Sequence, residues 1–333
     1  MRVCQIMAGN EEGGLENHFA ELSNALASKL KISVIAHPKY QNRFDSQIDF
    51  YPLDLTKSRK NPLILWKLYR LINQISPHII HTHANKATAM LSYIIKWLPN
   101  SIKTIASLHS QKKNLKPFYS FDCVIGVSNR VITHLKHPCK RVIYNGIKYP
   151  TPKKLDISKE FGLDDRFCVC SVGRLESVKN FKMLILACHQ ANVNLIIAGE
   201  GTLKDSLQNL IDELGANGTI KLVGFKANAI DLIYSSNLCV ISSNKEGFSY
   251  VMAESLLVKT PILSTDVADM KRILPNKYVV DVDDIDAMSD TINYIKNNYK
   301  QTLQDYQQSF EFAKKHFVFD EMVESVLSLY KEI

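Results

Sequence analysis

The stretch LCVISSNKEGFSYVMAESLLVKTPILST (238–265) decides the fold. LCVISS is an apolar, β-branched run of the kind that forms a buried strand, and PILST resembles it after an interval with helical spacing. Between them EGFSYVMAE (246–254) places Glu246 on the connecting loop and Glu254 inside the helix, eight residues further on. Both carboxylates can therefore face one ligand. In an open parallel sheet such a strand-to-helix turn lies at the carboxyl ends of the strands, where these folds bind nucleotides and sugars.

Upstream, FCVCSVGRLESVKNFKMLILACHQ (167–190) predicts a strand, a turn at Gly173 and a helix, with Arg174 and Lys179 flanking the turn. Two cations near a helix start, where unpaired backbone N–H groups point outward, make a site for a diphosphate. Without wider context, solvated loop cations would be the plainer reading. NLIIAGEG (194–201) predicts a further strand and glycine turn before TLKDSLQNLIDELG, a helix with a glycine stop. The amino-terminal half reads as its own strand–helix series. RVCQIM, ISVIAH (32–37), HIIHTH (78–83), KTIASLH (103–109), CVIGVS (123–128) and RVIYNG (141–146) are its strands, and EGGLENHFAELSNALAS is a glycine turn with a helix. KYPTPKKL (148–155) has the prolines and lysines of a linker, which separates a first domain over 1–150 from a second over 155–315. Residues 316–333 have helical apolar spacing.

The succession VGRLESVKN, AGEG, LVGF and SSNKEGFSYVMAESLLVKTPILST, with GNEEGGLENHFAELSNAL (9–26) and VIYNGI (142–147), resembles glycosyltransferase family 4 (group 1) over nearly the whole chain. The resemblance implies the GT-B architecture, an α/β fold of two Rossmann-like, doubly wound domains facing a cleft. It also implies retention of anomeric configuration during sugar transfer from a nucleotide donor, with front-face departure and attack and no covalent enzyme carboxylate. By the same resemblance Arg174 and Lys179 neutralise the leaving diphosphate, and Glu246 contacts the transferred sugar. Glu254 accepts hydrogen bonds from the donor ribose, and the backbone N–H groups of Gly247, Phe248 and Ser249 approach the diphosphate or hexose. The Gly13–Gly14 loop arches over donor phosphates and acceptor, Glu16 matches an acidic position after the glycine pair, and His109 matches a histidine beside the transferred sugar. The final helix crosses back to the first domain. Two places depart from the pattern: Lys148 stands where an Asp commonly follows Asn-Gly-Ile, and VADMKRIL (267–274) lacks the usual Gly-Gly and acid.

Composition narrows the partners. The chain has 333 residues, 46% of them hydrophobic, enough for two Rossmann-sized cores. Residues 1–150 hold 21 Lys plus Arg against 8 Asp plus Glu, a balance of +13; the rest holds 20 against 25, or −5, which sums to the overall +8. No acidic residue lies between Asp54 and Asp122. The basic half calls for an anionic neighbour. HSQKKNLKPFYSFD (109–122) mixes Lys112, Lys113 and Lys116 with Phe118, Tyr119 and Phe121, which suits the acceptor side and an anionic membrane surface; the plainer alternative is that the aromatics pack the sheet. No stretch approaches the roughly 18–20 apolar residues of a spanning helix, and MRVCQIMAGNEE turns acidic too soon for a secretory leader. The seven cysteines show no Cys-x-x-Cys spacing and read as buried thiols of a reducing cytoplasm.

Two patterns touch on metals. His81 and His83 form a His-x-His strand end, but two imidazoles without a third ligand are a weak site. Asp281-Val282-Asp283 spells the metal-binding pair of another glycosyltransferase class, yet it follows all the donor motifs and reads as a polar turn. The expectation is a metal-independent hexosyl- or N-acetylhexosaminyltransferase, with no cofactor beyond its nucleotide-sugar donor, UDP-linked in preference to GDP-linked. Its acceptor is a glycan or glycolipid such as lipopolysaccharide core, and its place is cytoplasmic, peripheral on the inner face of the membrane. A nucleotide-sugar epimerase of the same fold is the first alternative. A nucleic-acid binder is the second, disfavoured because no aromatic recognition motif accompanies the charge.

Overall fold

Strands covered by helices on both faces read as near-continuous apolar runs rather than alternating ones, as RVCQIM, ISVIAH, CVIGVS, FCVCSV, NLIIA and LCVISS do. The computed structural model describes residues 1–11 and 13–333. The chain divides into two units, one formed by Met1–Asn145 with Asp320–Ile333 and the other by Gly146–Phe319. In the first, β1 (Arg2–Met7), β2 (Lys31–Ala36), β3 (Asp49–Pro52), β4 (Ile79–His83), β5 (Lys103–Leu108), β6 (Cys123–Gly126) and β7 (Lys140–Val142) make a parallel sheet ordered β3-β2-β1-β4-β5-β6-β7. Strand β3 escapes the apolar pattern. DFYP is half exposed at the sheet edge and ends in a proline, so it has no continuous core-facing run to reveal it.

The second unit repeats the plan with β8 (Cys168–Val172), β9 (Asn194–Ala198), β10 (Ile220–Leu222), β11 (Leu238–Ile241), β12 (Ile262–Thr265) and β13 (Val279–Val280), ordered β10-β9-β8-β11-β12-β13. Both are doubly wound α/β sheets. Strand order reverses between β1 and β4 in one and between β8 and β11 in the other. The loops leaving those strands diverge to opposite faces and leave a crevice at each reversal.

The end of the chain belongs to the first unit. Helix Phe319–Glu332 buries Met322, Val323, Val326, Leu327, Leu329 and Tyr330. The Tyr330 hydroxyl accepts from Gln5 Nε2 at 2.8 Å and shares a hydrogen bond with His81 Nδ1 at 2.6 Å, which ties the helix to β1 and β4. Lys29 pairs with Glu324 on the same helix. Among the described residues no helix is long and apolar enough to cross a membrane.

The cysteines depart from seven free thiols. Cys123, at the start of β6, is joined to Cys139, just ahead of β7, with Cα atoms 4.7 Å apart. The pairing follows from sheet order: Val124 stands beside Lys140 in the parallel register, so the residue before each is adjacent too. Sequence spacing does not show that β6 and β7 are neighbours. Cys4, Cys168, Cys170, Cys188 and Cys239 are buried and free.

The turn after β9 supports the loop after β8. Gly199 has φ +152°, and a Cβ there would stand 1.9 Å from the Gly173 carbonyl oxygen. Hydrogen bonds from Gly173 N to Ala198 O (3.0 Å), Leu175 N to Glu200 O (2.9 Å) and Leu203 N to Leu175 O (2.9 Å) lace the two segments together. Gly199→Ala is expected to cost about 3 kcal/mol, from the strained backbone and the overlap with Gly173. Urea unfolding checks this; an unchanged midpoint would show that the two loops are not held in contact.

Candidate active site

At the second reversal, the Lys179 ammonium pairs with Glu246 Oε1 at 2.6 Å, both side chains being largely shielded. Gly173 lets the lysine stem lie close, since a Cβ there would stand 3.1 Å from Lys179 Cε. Ser243 Oγ donates to the same Glu246 oxygen at 2.8 Å, and Ser242 Oγ donates to the Lys179 carbonyl at 2.8 Å. Asn244 N adds a bond to Val178 O at 2.8 Å. The loops after β8 and β11 are therefore one bonded unit, with a cation and a carboxylate fixed between them.

Arg174 lies in the same loop but projects into solvent, without an ion-pair partner among the described residues. A free guanidinium beside a held ammonium leaves the loop open to an anion. Helix Tyr250–Leu257 begins one residue after Ser249, whose hydroxyl accepts from Met252 N at 3.2 Å as an N-cap. Phe248 is buried against Phe317 and Tyr250, with ring centroids 5.4 Å away in each case, and so anchors the Gly247–Ser249 turn. Glu254 lies in the second turn of that helix, and burial pushes its carboxyl up to about 7. A shielded carboxylate with no cation drawing it down is suited to accept from neutral hydroxyls.

Asp281-Val282-Asp283 is held as a turn. Asp283 accepts from Asn180 Nδ2 at 2.7 Å, Asp284 caps the helix Ile285–Asn297 through Ala287 N at 2.9 Å, and Asp281 is 83% exposed.

In the first unit, a pocket of about 330 Å³ lies over the ends of β1, β4 and β5, lined in part by Gly9, Glu16, His83, Asn85, His109 and Lys112. Glu16 is buried in the first turn of helix Gly14–Ala27, with its carboxylate beside Gly9 and Gly13. The extended backbone at Gly13 precedes that helix. His109 follows β5 directly, so Glu16, His109 and Lys112 share one cavity. Lys113 and Lys116 are exposed and do not line it.

The histidines sort differently from their spacing. His81 has both ring nitrogens engaged, with Tyr330 at 2.6 Å and Ser107 Oγ at 2.7 Å, and is structural. His18, from the helix, joins His83 and His109 instead: their rings stand 5.2–5.9 Å apart, and one ring nitrogen of each lies within 4.8 Å of the others. Burial holds all three neutral, with His18 lowered to about 4. His18 was not legible as a site residue, because one helical histidine carries no signal until the helix is docked on β4 and β5.

The description "Glycosyl transferases group 1" matches residues 153–313, and "Glycosyltransferase Family 4" matches residues 12–149. An uncharacterised glycosyltransferase of Methanocaldococcus jannaschii is 27% identical over 252 residues, but this covers only 62% of each chain. The lipopolysaccharide core biosynthesis glycosyltransferase LpsE of Rhizobium meliloti is 25% identical over 313 residues, 89% of this chain and 88% of that one. The crystal structure of HepE from Anabaena, in complex with UDP, superposes with a TM-score of 0.83 at 17% identity over 100% of both chains, a likeness of fold. Two adjoining family matches, two doubly wound sheets and a laced cation–carboxylate loop pair at the second reversal agree: the chain belongs to the group 1, family 4 glycosyltransferases of GT-B fold.

Proposed function

We propose that this glycosyltransferase moves a hexose or N-acetylhexosamine from a UDP-sugar, with retention, to a glycan or glycolipid acceptor such as lipopolysaccharide core. The observation that carries the reading is the Lys179–Glu246 pair, bonded into the two loops that also present Arg174 and the Gly247–Ser249 turn. As the bond from the sugar to the β-phosphate breaks, charge grows on the phosphate oxygens, and Lys179, held beforehand, stabilises that charge together with the neighbouring Arg174. No metal is needed for this. Glu246 serves the sugar, and Glu254 the ribose diol. HepE, solved with UDP, supports the choice of nucleotide, and LpsE supports the class of acceptor.

The basic first unit is the acceptor side, and we assign to it an anionic membrane surface at the cytoplasmic face. Phe118 and Phe121 are buried, so the aromatic contribution expected from 109–122 falls to Tyr119 alone. Helix Pro62–Ile75 supplies more, with Leu63 71% and Trp66 55% exposed beside Lys67 and Arg70. Each basic residue adds about 1 kcal/mol near an anionic leaflet. Sedimentation with anionic vesicles is expected to be lost at high salt and weakened in Trp66→Ala; salt-insensitive or absent sedimentation excludes this surface.

Lys179→Ala and Arg174→Ala are each expected to lower kcat by about 10²-fold, roughly 3 kcal/mol of transition-state stabilisation. Turnover of a UDP-sugar panel against lipid-linked and core-oligosaccharide acceptors tests this, and undiminished turnover in both variants would remove the assignment.

Glu254 gives a pH dependence. Its folded value near 7 lies above the ordinary 4.5, so ionisation opposes folding. The cost is absent below about pH 4.5, grows through pH 7 and is complete above it. Glu254→Gln should therefore raise the stability of the ligand-free protein at pH 8 by on the order of 2 kcal/mol. The same change should weaken UDP-sugar binding and flatten its rise between pH 6 and pH 8, about one unit either side of the Glu254 midpoint. Calorimetric titration and thermal melts at both pH values check the two arms, which have opposite signs.

A further inference from the structure

His83 Nε2 lies 2.6 Å from Gln5 Oε1. An amide oxygen only accepts, so that nitrogen carries the proton and Nδ1 keeps its lone pair. The amide is held in turn, because Gln5 Nε2 donates to the Tyr330 hydroxyl at 2.8 Å. His83 Nδ1 has no hydrogen-bond partner although the residue is only 1% exposed, and the buried His109 Nε2 has none either. Leaving two buried ring nitrogens unpaired is costly, and in folded proteins such groups point to a missing ligand.

We propose that His18, His83 and His109 form a three-imidazole site for a transition-metal ion of the Zn²⁺ class, with its fourth position open to the pocket. Imidazole nitrogens select such ions over Mg²⁺ or Ca²⁺. Their ligand atoms lie within 4.8 Å of one another, and closing to Zn–N bonds of about 2.0–2.1 Å requires ring movements of roughly 1 Å. The Gln5 carbonyl on His83 is the outer partner that metal-bound histidines ordinarily have, and it leaves Nδ1 as the nitrogen with a lone pair to offer. Glu16 lines the same pocket and offsets part of the ion's charge, while the unpartnered Asn85 Oδ1 can accept from a metal-bound water. His81 takes no part. The site does not rest on the sugar-transfer reading, and an ion held here would engage His109, the histidine expected beside the transferred sugar.

The test is titration of the full chain with Zn²⁺ and with Co²⁺. One equivalent is expected to bind with micromolar or tighter affinity, and the Co²⁺ form should show the visible bands of a four-coordinate ion. X-ray absorption of the Zn²⁺-loaded wild type should count three imidazole ligands, a result that requires no variant to fold. His18→Gln, His83→Gln and His109→Gln should each abolish stoichiometric binding. Gln5→Leu, which leaves all three ligands in place, should weaken it about 10- to 100-fold. His189→Gln, at an exposed histidine of the other unit, should change nothing. No binding below millimolar Zn²⁺, a ligand set of oxygen or sulfur, or binding that survives all three histidine substitutions would overturn the site.

Discussion

Two backbone segments of the second unit lie closer than any side chain would permit. With the Gly199 Cα against the Gly173 carbonyl, the loop after β8 rests on the turn after β9 and can move only if that turn moves. Everything that gives the site its charge hangs from this contact. The Lys179 stem crosses Gly173, its ammonium meets Glu246, and Glu246 draws in Ser243 from the loop after β11. A flexible lysine would lose rotamer freedom each time it bound an anion. Here that entropy is lost in folding, before any ligand arrives.

Glu254 shows the opposite use of burial. Its carboxyl has neither a cation nor strong donors to hold it down, so the ligand-free protein carries a group poised near neutral pH. Hydrogen-bond donors from a sugar diol would stabilise the charged form and return part of the desolvation cost on binding. Lys179 and Glu246 are matched in the absence of ligand, whereas Glu254 has burial raising its carboxyl and no cation lowering it. One unit thus combines a preorganised ion pair with a carboxyl poised near neutrality.

The second sheet was legible in the sequence because its strands are buried on both faces and bounded by glycine turns, and because Glu246 and Glu254 fall on either side of a recognisable helix start. Arg174 and Lys179 could be named in the same way, being adjacent to a strand end. What could not be read depends on which distant elements become neighbours. Cys139 precedes a three-residue strand whose partner, β6, is set only by sheet order. His18 becomes a companion of His83 when its helix is laid across the sheet. His81, the more conspicuous half of His-x-His, is taken up by Tyr330, nearly 250 residues away in sequence. The aromatic segment 109–122 misled for a simpler reason: Phe118 and Phe121 are core residues whose burial the neighbouring lysines conceal.

The Tyr330 contact also bears on how the chain is made. Residues 1–145 are synthesised before the second unit, yet Gln5 and His81 find their partner only when residue 330 has left the ribosome. The second unit, lying between these segments, emerges whole before the first is complete. Vectorial synthesis ordinarily favours amino-terminal domains. In this protein all of the second unit precedes Tyr330 in the chain, so the buried glutamine and histidine of the first sheet lack that partner until residue 330 has been made.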